Sequence, residues 1–373
     1  MLKQSLLAIS LLAGMSTNAA QGGLLKAKDH INYKFGGRLM LDGAYYDDDK
    51  TDLQSGTEVR RARLYFAGVL KKNWDFIVQI DYAGNKTTIK EAHIAYSWEK
   101  SVLSIGNMLP PFSLQLQTSS KWQTFVTRSL PVLALNPDSS FGLSYKYSAN
   151  NYFFKTGIYG GTSAENTERE RFIFAMRGAT LKKFGSSLNH FGLSYLHVAR
   201  EDQAAFKSSN ETHVDSYDFV STDQIDNRQS DRLALEYALV AKSFSTQAEY
   251  FLVDVRGKGG IQDTISGWYA FMSWFPTGDT RSYSINSAAF GEVMPRKEFG
   301  ETGIGAIELA LRYSNIDFTG SLNGGEQDNI AAEINWYPGG GLKFMLNQTF
   351  VNAEKNGVKD KPSITQFRAQ VTF

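Results

Sequence analysis

The sequence predicts an all-β protein: a closed, transmembrane antiparallel β-barrel of about 16 strands. Three observations predict it. Apolar residues occupy every second position in segments that recur along almost the whole chain. Aromatic residues lie at the ends of these apolar faces, and the connections between segments are alternately short and long.

The composition fits long strands joined by turns and excludes several other classes. The chain has 373 residues, with 25 Phe, 18 Tyr, 33 Gly and only 8 Pro. Its mean hydropathy of −0.31 excludes a bundle of membrane helices. The absence of cysteine excludes disulfides, thiol catalysis and Cys-ligated metals. A net charge of +1 argues against a nucleic-acid partner.

The first 20 residues predict a secretory signal peptide. Lys3 precedes an apolar stretch from residue 6 to 12, and small residues lead to a cleavage site near Ala19 or Ala20. A buried helix or a retained anchor is the alternative, although the apolar stretch is too short to span a bilayer comfortably. We therefore expect an exported chain with an N-terminal segment at 21–32 and a barrel at 33–373.

Alternation is clear in residues 73–82, where Trp74, Phe76, Val78, Ile80 and Tyr82 share one face. Many such segments reach the roughly 9–11 residues that a tilted membrane strand requires. The other predicted strands lie near residues 33–45, 57–70, 90–98, 101–108, 139–147, 151–160, 170–179, 188–199, 232–239, 243–254, 264–275, 307–314, 328–337, 342–351 and 364–373.

Aromatic positions and connection lengths favour a membrane barrel over a soluble β-sandwich, which would also alternate. The face-end aromatics are Trp74, Tyr82, Trp98, Tyr147, Trp274 and Trp336. Connections after even-numbered strands are short, such as KKN, EKS and SANN. Those after odd-numbered strands are mostly longer, as membrane barrels require. The stretch 277–302 is the exception, and is either a missed hairpin or an insertion.

A barrel of this size encloses water, so the polar member of each alternating pair is expected to face a channel. Parity places Arg38, Arg61 and Arg63 inward, with Tyr65 on the same face. Arg60, placed at the start of its strand, turns inward if a β-bulge occurs there. Further inward basic residues are Lys146, Arg171, Arg177, Arg232, Arg312, Lys343 and Arg368. Inward acids are Asp75, Asp81, Glu91, Glu236, Glu249, Glu308 and Glu333, so a wall of mixed charge remains the alternative.

The long connection at residues 109–138 is too apolar and too rich in Ser and Thr for a flexible surface tail. If it folds back into the barrel, it narrows the channel and brings Lys121 and Arg128 to the constriction. Ser119 and Ser120 would then donate further hydrogen bonds to an anion. The alternative is an exterior loop packed over the barrel mouth.

Eight stretches resemble a known family. They read NYKFGGRLMLDGAYYDDD, VRRARLYFAGVLKKNWDFIVQIDYAGN, IKEAHIAYSW, SIGNMLPPFSLQLQTSSKW with FVTRSLP, WFPTGDTRSY, GAIELALRYSNIDF and NWYPGGGLKFMLN. In this order they resemble the phosphate-selective porins O and P of the outer membrane.

The resemblance implies a 16-stranded barrel, commonly trimeric, that passes anions such as phosphate and has its third external loop in the pore. It matches Arg60 and Arg61 to a paired arginine, Lys121 to the lysine after TSS, and Arg128 to the arginine before SLP. The chain departs from the family at Thr127, where an acidic residue is expected.

These observations predict a passive outer-membrane porin that prefers small anions through a constriction lined by arginine and lysine. The expected partners are outer-membrane lipid, small anions such as phosphate, and two further copies in a homotrimer. No cofactor or metal is expected. With 5 His and no nucleophile-elbow or HExxH motif, we expect no enzyme. A non-selective porin, or an adhesin or structural anchor without transport, remains the alternative.

Overall fold

A computed structural model describes residues 31–160, 171–226, 228–300 and 303–373. Sixteen long strands form the wall of a barrel: β1 (Ile31–Asp47), β2 (Gly56–Leu70), β3 (Trp74–Asp81), β4 (Thr88–Trp98), β5 (Ser101–Met108), β6 (Ser140–Ala149), β7 (Tyr152–Tyr159), β8 (Arg171–Phe184), β9 (Ser187–Arg200), β10 (Gln229–Ala241), β11 (Phe244–Gly257), β12 (Ile261–Trp274), β13 (Ala306–Phe318), β14 (Gly325–Gly339), β15 (Leu342–Lys355) and β16 (Ser363–Thr372).

Every strand pairs antiparallel with its neighbours in sequence, and β1 pairs with β16 to close the sheet. At this seam the backbone N–H of Gly37 donates to the carbonyl of Phe373 at 2.9 Å. The sheet also includes one short strand, Val358–Asp360, which pairs only with β15. The predicted barrel and its strand number are confirmed. No helix in the described residues is long and apolar enough to span a membrane.

Side-chain burial follows the predicted alternation. On β10, Leu235 is 52% exposed on the outer face, while its neighbours Ala234 and Glu236 are buried inside. Trp74, Trp98 and Trp274 are likewise exposed outward near strand ends. Large apolar side chains exposed on the outer face suit a hydrocarbon solvent, and rings near the strand ends suit the headgroup layer.

The long connection after β12 is an insertion at the end of the barrel that otherwise carries short turns. It contains a hairpin of two short strands, Tyr283–Ser284 and Ala289–Phe290, which pair only with each other. Outer-membrane barrels direct their short turns to the periplasm. We therefore call residues 275–305 the periplasmic insertion; residues 301–302 within it lie outside the described part.

The predicted signal peptide at 1–20 and most of the predicted segment at 21–32 lie outside the described residues. Strand β1 begins at Ile31, two residues before the predicted barrel start.

Three connections turn inward and occupy part of the barrel. We call residues 109–139 the inner loop; it contains the short helices α1 (Leu114–Gln117) and α2 (Leu130–Leu135). We call residues 201–226 the mouth loop; two short strands, Lys207–Ser209 and Asp218–Ser221, pair within it. The periplasmic insertion enters from the opposite end.

Candidate functional site

Carboxylates of the barrel wall hold the backbone of the inner loop. Glu249 on β11 accepts hydrogen bonds from the backbone N–H groups of Leu114 and Gln115, both at 2.8 Å. These amides begin α1 and have no partner within the helix. Glu333 on β14 accepts from the N–H of Val126 at 3.2 Å. The loop therefore lies inside the barrel, against the wall formed by the later strands.

Basic side chains of the same wall hold the loop's carbonyl groups. Lys343 Nζ donates to the carbonyl of Gln123 at 2.6 Å, and Arg312 Nη1 donates to that of Thr127 at 2.9 Å. Arg312 also pairs with Glu211 of the mouth loop at 2.8 Å. These cations have structural partners in the described residues, and the mouth loop contributes to holding the inner loop.

The inward faces of β8–β16 are covered by the segments that fold inward. Most of their charged side chains are almost fully buried: Arg177, Arg232, Glu236, Glu249, Glu308, Arg312, Glu333, Lys343 and Arg368. The sequence placed these residues inward, and the structure confirms that orientation. It also shows that they contact packed protein instead of an open channel.

The inward face of β2–β7 stays partly open. Arg61 and Arg63 retain 14% and 12% of their side-chain exposure. Other partly exposed inward residues on this wall are Asp75, Lys90, Glu91, His93, Lys146 and Lys155. The free part of the lumen therefore runs along the early strands.

A β-bulge turns two successive arginines toward this space. Met40 of β1 is opposite Arg61, but the next pair skips a residue, so that Arg60 has no partner in the register. Val59 remains on the outer face, and Arg60 interacts electrostatically with inward-facing Asp42. The predicted bulge is present. Arg60 is the fifth residue of β2, however, and not at the strand start.

Arg38 on β1 connects the barrel wall to the inner loop. Its Nη1 donates to Ser119 Oγ at 3.2 Å and to Ser120 Oγ at 2.9 Å, and its Nη2 donates to Gln79 at 3.3 Å. Both serine oxygens therefore accept from Arg38. Each hydroxyl still has its own hydrogen to donate to a further acceptor.

Lys121 projects from the tip of the inner loop. Its Nζ lies 5.9 Å from the ring centre of Tyr65 and 4.8 Å from that of Trp122. Gly36 leaves room for Tyr65, because an added Cβ there would lie 2.5 Å from the Tyr65 hydroxyl. In the described residues this amine has neither a hydrogen bond nor an ion pair. Burial, and next the positive charge of Arg38, lower the pKa of Lys121.

Arg128 lies on the returning half of the inner loop. Its guanidinium donates to the carbonyls of Gln115 at 3.4 Å and Thr118 at 3.3 Å, and contacts no carboxylate in the described part of the chain. Burial, followed by the charges of Arg63 and Arg60, lowers the pKa of Arg128 to about 10. The group remains cationic at neutral pH, with its charge unpaired.

Asp81 is the carboxylate that contacts these cations directly, at 2.6 Å from Arg63 Nε and 3.9 Å from Arg61 Nη1. The surrounding basic residues are Arg38, Arg60, Arg61, Arg63, Lys121 and Arg128, linked by the contacts and charge interactions above. The structure thus brings together the eight residues singled out in the sequence, including Ser119 and Ser120, on the inner side of the barrel. We call this group the basic cluster.

Sequence reasoning missed the contribution of the periplasmic insertion. Its hairpin is tied to the buried wall by Arg177, which donates to the carbonyl of Ala288 at 2.7 Å. It also supports the inner loop, since the N–H of Phe290 donates to Thr118 Oγ1 at 3.3 Å. The unusual length of this connection was the only signal in the sequence, and it carried no information on direction.

Comparisons with known proteins agree with this architecture. A family model described as phosphate-selective porin O and P matches residues 33–373. Porin O of Pseudomonas aeruginosa is 24% identical over 91% of this chain and 87% of its own length. An uncharacterized protein of Caulobacter vibrioides is 24% identical over 92% of this chain and 74% of its own length.

Solved structures show the same fold at low sequence identity. An anion-selective porin from Comamonas acidovorans aligns with a TM-score of 0.62 at 12% identity, over 92% of this chain and 100% of that one. A trimer form of OmpT, an outer-membrane protein of Vibrio cholerae, aligns with a TM-score of 0.60 at 10% identity and the same coverage.

Proposed function

The chain belongs to the phosphate-selective porin O and P family and is an outer-membrane porin of a bacterium, and from this premise we propose that it prefers small anions of the phosphate class. The solutes cross by passive diffusion along the early strands, and the inner loop narrows their path at the basic cluster. The family and fold indicate a channel and not an enzyme.

The observation that carries this proposal is the charge imbalance in the basic cluster. Six basic side chains converge there, and among the described residues the one carboxylate in direct contact with the cluster is Asp81, which pairs with Arg63 and Arg61. The nearby acid Asp42 is held by Arg368 at 2.6 Å, and Glu58 by His213 at 2.9 Å. Unpaired cations at a constriction replace part of an anion's hydration shell and repel cations.

We further propose a homotrimer in contact with outer-membrane lipid. The support is the OmpT structure described as a trimer form, together with the apolar outer face of the barrel. The expected result is a trimer-sized band in mild detergent that shifts to the monomer position on heating.

The reversal potential in a planar bilayer under a KCl gradient tests the anion preference. We expect a reversal potential displaced toward the equilibrium potential of chloride, and a current that falls as phosphate is added. Arg61→Gln should move the potential toward zero and weaken the phosphate block about threefold or more, because it removes a partly exposed charge. In the described residues the Arg61 side chain forms no hydrogen bond, and its ion pair with Asp81 is long at 3.9 Å, so the fold should persist.

Lys146→Gln is the matched control, since it removes an inward charge from the same wall but outside the basic cluster. Its potential should stay close to that of the unmodified protein. A reversal potential near zero or displaced toward the equilibrium potential of potassium, without block by phosphate, would identify a porin with no anion preference. A folded trimer without conductance would favour the adhesin or structural-anchor reading.

A further inference from the structure

A small cavity lies where the inner loop meets the periplasmic insertion. Its volume is about 180 Å³. Lys121 and Trp122 bound it from the inner loop, and Glu292 and Glu298 bound it from the insertion. The turn between β14 and β15 completes it. The cavity therefore connects the tip of the basic cluster with the periplasmic end of the barrel.

Lys121 stands between charges of opposite sign. The guanidinium of Arg38 acts on it from the basic cluster, and the carboxylate of Glu292 acts on it from the insertion; the amine of Lys34 on β1 adds a weaker positive charge. In the part of the chain that the structure describes, the Lys121 amine forms no hydrogen bond. Its charge is thus available to a passing anion, and Glu292 is the acidic group that offsets it.

The position of Glu292 is set by backbone contacts on either side of the hairpin. The N–H of Gly291 donates to the carbonyl of Ser282 at 2.9 Å, and the N–H of Phe290 donates to Thr118 Oγ1 at 3.3 Å. Glu292 follows directly after these two fixed residues. Its own side chain is exposed and makes no hydrogen bond to a described residue, so its charge acts through space.

Glu298 lines the same cavity in a different place. Its carboxyl group lies against Gly339, where an added Cβ would come within 2.6 Å of Glu298 Cδ. Among the described residues, the acidic charge that acts on Lys121 is that of Glu292. The chain therefore offers a natural comparison: two exposed glutamates in one cavity, of which one acts on the lysine.

We propose that Glu292 is a specificity-determining residue of the channel, which weakens anion binding at Lys121 on the periplasmic side and so speeds anion release. The inference rests on the proposed anion preference. A conducting channel must bind its ion weakly enough to let it leave. A carboxylate beside this unpaired cation supplies that weakening, because it lowers the positive potential where the anion departs.

The test compares Glu292→Gln with Glu298→Gln in planar bilayers, using inorganic phosphate as the blocking ion at about 0.1 M KCl. Glu292→Gln should tighten the phosphate block about two- to fivefold and shift the reversal potential toward the equilibrium potential of chloride. In about 1 M KCl the difference should nearly vanish, because the screening length falls to roughly 3 Å. Glu298→Gln should change both quantities less.

Two results would overturn the inference. In the first, Glu292→Gln behaves like the unmodified protein. In the second, both variants shift equally, which would assign the effect to general lumen charge. The unmodified protein decides the anion preference separately. If its reversal potential is near zero, the proposed function fails. The shift caused by Glu292→Gln still shows whether this carboxylate faces the conduction path.

Discussion

The two sides of this barrel carry similar inward-facing charged side chains, which differ in burial and in their partners. On β8–β16, inward charges are buried against protein partners, such as Arg177 with Glu236 and Arg312 with Glu211, both at 2.8 Å. On β1–β7 and the tip of the inner loop, several cations are partly exposed or have no carboxylate partner, as in Lys121. We call these sides the covered wall and the open wall.

The difference shows that an inward arginine is not by itself a pore residue. A charge in a dry, packed interior is tolerated only with a partner, because the free-energy cost of removing the charge from water is otherwise not offset. Charge beside water has no such requirement and remains free to act on a solute. The same residue type therefore fixes folded-in segments on the covered wall and faces the solute on the open wall.

The largest predicted effect breaks a pair on the covered wall. Arg177→Met leaves Glu236 without its cation at a site where both side chains are 0% exposed. We expect the free energy of unfolding to fall by about 3–5 kcal/mol. Urea unfolding in detergent, followed by tryptophan fluorescence, measures this.

Arg63→Met is the matched control on the open wall, because it also removes an arginine from a carboxylate, Asp81 at 2.6 Å. There the loss should be about 1 kcal/mol, since Asp81 keeps Arg61 Nη1 at 3.9 Å and still accepts a hydrogen bond from the backbone N–H of Ala62 at 3.2 Å. Equal losses for the two variants would contradict the distinction between the walls.

A second, intermediate effect is a pH dependence of the anion preference. The pKa of Arg128 is lowered to about 10 by burial and by nearby arginines, and the pKa of Lys121 is lowered by burial and Arg38. Both groups are charged below their pKa, so the positive charge is lost as pH rises. The reversal potential should hold from pH 6 to 8 and then fall between about pH 9 and 11.

The variant Lys121→Arg sharpens this measurement. A guanidinium at this half-buried loop tip keeps its proton to higher pH than an ammonium, so the fall should begin later. A profile that stays flat to pH 11 in the unmodified protein would show that neither group contributes to selectivity.

The smallest predicted effect concerns the contact between the inner loop and the open wall. The double variant Ser119→Ala with Ser120→Ala removes two acceptors of Arg38, at 3.2 and 2.9 Å. We expect a loss of about 1 kcal/mol in unfolding free energy. Anion preference should change less than twofold, because every cation remains. A large drop in preference would instead mean that the serines bind the anion directly.

Alternation was sufficient to predict the barrel and the direction of most side chains, because a strand has only two faces. It placed Arg38, Arg61 and Arg63 correctly inside, and the bulge at Arg60 was anticipated from its dense run of arginines. The same rule placed Arg177 and Arg312 inside, but did not separate them from the open-wall cations. That separation depends on which wall the folded-in segments cover.

By itself, then, the sequence determined the number and direction of the strands, the apolar outer face and the set of charges available to the lumen. These follow from short-range periodicity and from the need to pair every backbone group in a membrane.

Only the tertiary structure decided which charges face water. The inner loop meets β11 and β14 through Glu249 and Glu333, more than a hundred residues away in the chain. The periplasmic insertion brings Glu292 to Lys121 across a similar separation. Contacts so distant in sequence leave no local pattern, so the division between structural and solute-facing cations exists only in the folded barrel.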